Sequence, residues 1–139
     1  MAKFLNTLEV RCLADGRQWT LLKELQFATD DGRVIYVPAG FITDFASVPK
    51  FFRRLFQPAT GKYRRSAVPH DWIYRTPDVA ISKEDADIFF LQGMIIDDTP
   101  KWKRTLLYAA VRAFGDSSYV PRTPEAKFAI NLAAANVRR

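Results

Sequence analysis

"YRRSAVPHDWIYRTPDVAISKEDADIFFLQGM", residues 63–94, decides the fold. It reads as two helices joined by a short connection. Pro69 stands directly before His70, so the first helix is expected to begin near Val68 or Pro69. Ser82 opens the second helix, with Asp85 three residues on, close to a capping box. A connection as tight as "TPDVAISKED" makes the two helices antiparallel neighbours. On the first helix His70 and Tyr74 are four apart and share a face, while Asp71 is turned about 100° away. On the second, Asp87 sits among Ala86, Ile88, Phe89, Phe90, Leu91 and Met94. A carboxylate in such surroundings needs a partner, and His70 could supply one.

Outward from this pair, the first third reads as β. "LEVRCLA", "WTLLKELQFAT" and "RVIYVPAGFIT" alternate or carry β-branched and aromatic residues, with Asp15-Gly16 and Asp31-Gly32 between them as turn signals. These predict a small antiparallel meander, with Pro38 at a strand end or edge. Ser47 can cap "VPKFFRRLF", with Pro49 in its first turn. Thr99-Pro100 opens "KWKRTLLYAAVRAF", Gly115 closes it, and Thr123-Pro124-Glu125 opens a last helix. The fold class is therefore α+β: a small N-terminal antiparallel β meander, then a helical part whose antiparallel pair carries His70 and Asp87. Residues 1–139 read as a single domain. Its parts are a β-rich 1–46, a helical core over 47–115, and a C-terminal helix or tail over 116–139 suited to docking on a partner.

Composition narrows the function classes. The 139 residues carry a net charge of +6, eleven phenylalanines, three tryptophans and one cysteine. Cys12 alone permits no intrachain disulfide and no thiol-rich zinc site, and its alternating apolar surroundings predict a buried, inert thiol. Basic clusters at Arg53-Arg54, Lys62-Arg64-Arg65, Lys101-Lys103-Arg104 and Arg138-Arg139 suit a solvated surface or a polyanion, but no specific nucleic-acid motif accompanies them. "MAKFLNTLEV" lacks the apolar core of a signal peptide, and no run approaches the ~20 apolar residues of a membrane span. A soluble protein made in the cytoplasm is expected.

A histidine acting as general base needs an acceptor on its other ring nitrogen, to fix the tautomer and stabilise the imidazolium. Asp71, adjacent in sequence, is poorly placed for this, and Asp87 is the better candidate. In "PAGFITDFASVP" Gly40 permits a bend after the strands, and Asp44 follows in a loop. Asp44 and Asp71 could converge on one hard cation such as calcium, with carbonyls and water completing its shell. Each residue also has a structural reading. His70 and Tyr74 can be core, Asp44 can cap a turn, and Asp87 can favour the dipole at a helix start. One histidine does not suffice for the metals of HD phosphohydrolases or of zinc hydrolases. Neither Ser47 nor Ser66 lies in a nucleophile elbow.

Two families share these motifs. "VPAGFITDFASVP", "GKYRRSAVPHDWIYR", "EDADIFFLQGM" and a helix ending "AAVRAFG" resemble a phage and prophage family known as domain of unknown function 1353, over roughly residues 34–115. That resemblance implies a phage-borne gene and no activity. "HDWIYR" followed by "ADIFFLQGM" is similar to the catalytic helix pair of the secreted phospholipase A2 superfamily, its bacterial branch above all. This second resemblance implies His70 as the base, Asp87 as its orienting partner, and Tyr74 as a hydrogen bonder behind them. It also implies Asp71 and Asp44 as calcium ligands. The chain departs from that superfamily in having no disulfides, no glycine-rich calcium loop, and a β-rich first third.

The expectation is a phage-encoded, calcium-dependent phospholipase A2-like esterase acting on lipid or on the bacterial envelope. Lys50, Arg53 and Arg54 would meet an anionic membrane surface, with Phe51, Phe52 and Phe56 entering it; the same segment also reads as a core-facing helix with a solvated basic face. The alternative is a non-enzymatic virion component of tail, baseplate or neck, docked on other virion proteins, whose His-Asp cluster is structural. Either product would be made in the host cytoplasm and could enter the virion.

Overall fold

The computed structural model describes residues 1–44 and 63–137. The expected helix at Ser47 and the basic aromatic segment around Lys50 to Phe56 lie outside the described residues. The described residues hold strands β1 (Lys3–Phe4), β2 (Val10–Cys12), β3 (Trp19–Leu21), β4 (Leu25–Ala28), β5 (Val34–Val37) and β6 (Ile42–Thr43). Helices α1 (Arg64–Arg75), α2 (Lys83–Ile96), α3 (Lys101–Phe114) and α4 (Pro124–Val137) follow. The class is α+β.

The strands form two small antiparallel sheets, ordered β1-β4-β5 and β2-β3-β6, where a single meander was expected. The expected strand "WTLLKELQFAT" is broken by three exposed residues, Leu22, Lys23 and Glu24. Before the break the Leu21 N–H donates to the Phe41 carbonyl and binds this stretch to the β6 side. After it the Asn6 side chain takes over, donating to Glu24 O at 2.6 Å and accepting from the Gln26 N–H at 2.9 Å. The turn at Pro38-Ala39-Gly40, with Gly40 at φ 86°, ends β5 and sends β6 back to β3. Leu25 and Phe27 of β4 pair with Val37 and Ile35 of β5, and all four are buried.

α1 begins at Arg64, four to five residues earlier than Pro69 suggested. The Tyr63 carbonyl accepts from the Ala67 N–H at 3.0 Å and from Ser66 Oγ at 2.7 Å, so the first turn closes upstream of the proline. Pro69 then sits inside the helix, offering no N–H to the carbonyl four residues back. Burial of Ser66, Ala67 and Val68 against neighbouring elements outweighs that local cost. The other helix signals act as the sequence suggested. Ser82 Oγ accepts the Asp85 N–H at 3.1 Å, the Gly115 N–H closes α3 on Val111 O, and Thr123 Oγ1 accepts the Ala126 N–H.

α1 and α2 are antiparallel. Arg65 meets Asp97, His70 meets Phe90 and Asp87, and the Lys83 ammonium lies over the Tyr74 ring. Gly93 is the point of closest approach, since a Cβ there would lie 2.6 Å from the Ser66 Cβ. The core draws on both sheets and on α1 to α3: Leu21, Phe27, Val37, Ile73, Phe90 and Leu107 are fully buried. Cys12 corrects the sequence expectation. It is exposed at the end of β2, an edge strand, although Val10 two residues earlier packs against the core. Arg65 pairs with Asp97 over the Phe4 ring, Arg64 lies over Trp19, and Lys103 over Tyr63, so these basic clusters are partly internal. No helix of the described residues is long and apolar enough to cross a membrane.

Candidate active site

Asp87 is fully buried on the face of α2 that meets α1. One of its oxygens, Oδ1, lies 2.8 Å from His70 Nε2 and accepts the Tyr74 hydroxyl at 2.5 Å. The other, Oδ2, accepts Lys83 Nζ at 3.0 Å and Arg112 NH1 at 2.9 Å. Lys83 reaches Asp87 from one turn earlier on α2 and also donates to Val111 O at 2.9 Å, capping the C-terminal end of α3. Arg112 comes from α3 itself. Three helices thus meet at one carboxylate.

Burial alone would raise the Asp87 carboxyl, but the hydrogen bonds from His70 and Tyr74 outweigh it and hold the group at about 2. An ionised carboxylate can only accept, so Nε2 carries the imidazole proton and Nδ1 the lone pair. Burial pushes the His70 ring below its ordinary value; the bond to Asp87 opposes the shift and nearby Lys83 adds to it. His70 is therefore neutral at pH 7. Burial also pushes the Tyr74 hydroxyl up, with Asp87 adding to it, so Tyr74 stays a donor. The His70 ring is held by Tyr74 at 4.1 Å and Phe90 at 4.9 Å between centroids.

Nδ1 is different. It is buried and has no hydrogen-bond partner among the described residues. Asp71 Oδ1 lies 4.0 Å away, too far for a direct bond. His70 instead lines a cavity of about 210 Å³, in a wall that α1 builds with Asp71, Tyr74 and Arg75. The facing wall is apolar: Ala110, Val111 and Phe114 of α3, then Gly115. Ser118 and the 57 % exposed Phe114 bring the cavity to the surface. Gly115 is required by close approach, since a Cβ there would lie 2.4 Å from Val111 O and 2.8 Å from the Tyr74 hydroxyl.

Asp44 and Asp71 do meet, at Arg75. The guanidinium donates to Asp44 Oδ1 at 3.0 Å and to the Ile42 carbonyl at 2.9 Å, and lies 4.0 Å from Asp71 Oδ2. Asp71 is 3 % exposed and accepts the Thr43 hydroxyl at 2.6 Å. No group of three or more His, Cys, Asp or Glu side chains able to hold a metal occurs among the described residues.

A family model described as "Protein of unknown function (DUF1353)" matches residues 19–111. The chain belongs to the DUF1353 family. "Uncharacterized protein y4jT" of Sinorhizobium fredii (strain NBRC 101917 / NGR234) is 31% identical over 104 residues, which cover 73% of this chain and 30% of that protein. The chain thus spans about a third of the length of that curated relative. No solved structure matches.

The DUF1353 match takes in Asp44, His70, Asp71, Tyr74, Lys83 and Asp87, but ends before Arg112 and the Gly115–Ser118 wall. Of the site residues named from the sequence, His70, Tyr74 and Asp87 form one hydrogen-bonded unit, and Asp44 and Asp71 flank it around Arg75. Sequence reasoning missed four residues. Lys83 was legible as an i,i+4 partner of Asp87. Arg75 had a comparable signal, four residues after Asp71. Arg112 left no local trace, and Gly115 was legible as the end of α3 but not as a neighbour of Tyr74.

Proposed function

We propose that this DUF1353 chain is a hydrolase that activates water with His70 Nδ1 for attack on an acyl ester. The observation that carries the reading is the single bare nitrogen. Nε2 is fixed by an ionised Asp87, while Nδ1 is buried and unpartnered among the described residues, on a ring that belongs to the lining of the cavity. A scaffold needs only the first half of that arrangement. In the reaction, water oxygen bonds to the acyl carbon as its proton passes to Nδ1. The imidazolium is stabilised through Nε2 by Asp87, which Tyr74, Lys83 and Arg112 hold in place. The tetrahedral intermediate then expels the alkoxide, which takes the proton back from Nδ1. The products are a carboxylic acid and an alcohol.

Calcium belongs to the proposal. Asp44, Asp71 and the Ile42 carbonyl form the oxygen-only set a hard cation prefers, now gathered on Arg75. They would hold the ion in competition with that guanidinium, and the ion would polarise the ester carbonyl. Arg75→Gln should then raise calcium affinity and Asp71→Asn should lower it, as read by isothermal titration calorimetry. Equal affinities in all three proteins would remove calcium from the mechanism.

The physiological ester would be a lipid or envelope component, met by a phage-encoded protein made in the host cytoplasm. The direct test is acid release from acyl esters, both dispersed and in mixed anionic vesicles, by the chain and by His70→Gln. Release that requires His70 supports the reading; equal release by both proteins sinks it. The second reading is a non-enzymatic virion component of tail, baseplate or neck. α4 favours it, since that helix buries only Ala126 and leaves Phe128, Leu132 and Val137 exposed, suited to docking on another virion protein. Absence of release from every ester would move the assignment there.

A further inference from the structure

We infer that the cavity beside His70 is the seat of a single medium-length acyl chain, of about eight carbons, laid along the apolar wall of α3 with its carbonyl toward α1. The inference rests on the hydrolase reading above and gives its substrate class. Its basis is the asymmetry of the two walls. α1 supplies His70, Asp71 and Arg75; of the other polar side chains in the lining, Tyr74 is committed to Asp87 and Ser118 stands at the mouth. α3 supplies Ala110, Val111 and Phe114, which offer an acyl chain contact and no hydrogen bond. The chemistry therefore has a fixed direction, with the apolar part of the substrate against α3.

Size sets the length. A dry cavity of about 150 Å³ takes a six-carbon ring. The 210 Å³ here scales to about eight carbons. Two features close the space. Lys83 pins the C-terminal carbonyls of α3, and Gly115 lies against the Tyr74 hydroxyl, so the wall cannot retreat without disturbing the Asp87 unit. Carbons beyond that length leave past Phe114 and Ser118 into water and add no enclosed contact. Each methylene enclosed should raise kcat/KM about fourfold, and methylenes beyond the cavity should add almost nothing.

The experiment is a series of 4-nitrophenyl esters from acetate to palmitate, hydrolysed by the full chain and corrected with His70→Gln. The expected result is a kcat/KM that climbs to octanoate and then flattens or falls. Ala110→Leu fills the α3 wall and should move the optimum to shorter chains, lowering the octanoate-to-butanoate ratio about tenfold. Ser118→Phe narrows the mouth from a half-exposed loop position and should lower the same ratio if Ala110→Leu does not fold. His70-dependent hydrolysis that is indifferent to chain length, or that keeps rising to palmitate, overturns the inference and leaves the hydrolase reading standing. If no ester is hydrolysed, the hydrolase reading fails, and octan-1-ol decides the cavity by itself. Saturable shifts of the Val111 methyl resonances, lost in Ser118→Phe, sustain an acyl-chain seat; no saturable shift overturns it.

Discussion

Replacing Asp87 by asparagine tests the centre of the structure with almost no change in shape. The carboxylate accepts from His70 and Tyr74 on one oxygen and from Lys83 and Arg112 on the other. An amide has one acceptor and one donor end. With its oxygen toward Lys83 and Arg112, its NH₂ faces Tyr74 and His70, which must then change from donors to acceptors, the hydroxyl by rotating and the imidazole by moving its proton to Nδ1, at a site with no exposure. Two buried hydrogen bonds to a charged acceptor are lost, each contributing about 1.5–3 kcal/mol. Removing one partner of a buried ion pair costs about 3–5 kcal/mol. The expected loss is therefore about 4 kcal/mol at pH 7, or a Tm lower by roughly 10–15 °C for a chain of this size. The chain should remain folded, since domains of this kind have about 5–15 kcal/mol in hand.

The pH dependence sharpens the test. Asp87 is held at about 2 in the folded state, below its unfolded value near 3.9. A depressed carboxyl stabilises the fold above the unfolded value, and that contribution disappears as pH falls through the folded one. A shift of that size is about 2.6 kcal/mol. Urea denaturation of both proteins between pH 7 and pH 2.5 should show the gap shrinking by about 2 kcal/mol below pH 5, with the remainder lost only below the folded value. A gap under 1 kcal/mol at pH 7 with unchanged m-value, or one that widens on acidification, would refute the claim that an ionised Asp87 holds the three helices together.

Other substitutions probe features that the sequence hid. Gly93→Ala puts a Cβ 2.6 Å from the Ser66 Cβ, and the α1–α2 crossing should lose about 1–3 kcal/mol in a thermal melt despite the better helix propensity of alanine; a raised Tm would contradict the close crossing. Arg122 is buried and donates to the carbonyls of Ile73, Tyr74 and Thr76 at the C-terminal end of α1. Arg122→Leu should cost at least about 2 kcal/mol, and amide exchange should accelerate first in the last turn of α1; uniform acceleration would argue against a local clamp. Cys12 is exposed and should be labelled by a soluble thiol reagent in the native protein at the rate of a free peptide thiol. Labelling that waits for unfolding would restore the buried reading.

Much of the helical half was legible because its signals are local. Ser82, Thr99-Pro100, Gly115 and Thr123 act over three or four residues, and the structure places each at a helix boundary. The start of α1 was not, because Pro69 is a strong local signal that burial of Ser66 to Val68 overrides. The split into two sheets was hidden for another reason. Leu21, Leu25 and Phe27 keep one period-two phase across the break at Leu22 to Glu24, so alternation reads straight through it. In the site, the pairing of His70 with Asp87 followed from a helix pair and a carboxylate in apolar surroundings. Arg112 and Gly115 did not, since nothing in the spacing of α3 says which neighbour it faces.

The two readings of the cluster separate at the level of single atoms. A structural network serves stability best when every buried polar atom is satisfied. Asp87 meets that standard, with two donors on each oxygen. His70 does not: Nε2 is held, and Nδ1 is buried without a partner among the described residues. His70 lines the cavity, together with the apolar side chains of α3. A scaffold could remove the defect with a phenylalanine or leucine at position 70, because Tyr74, Lys83 and Arg112 would still occupy Asp87. The proposed base needs both nitrogens, one fixed and one bare. His70→Leu therefore tests the distinction itself: full stability retained with every activity lost is the signature of a base, and a collapse of the α1–α2 pair is that of a scaffold.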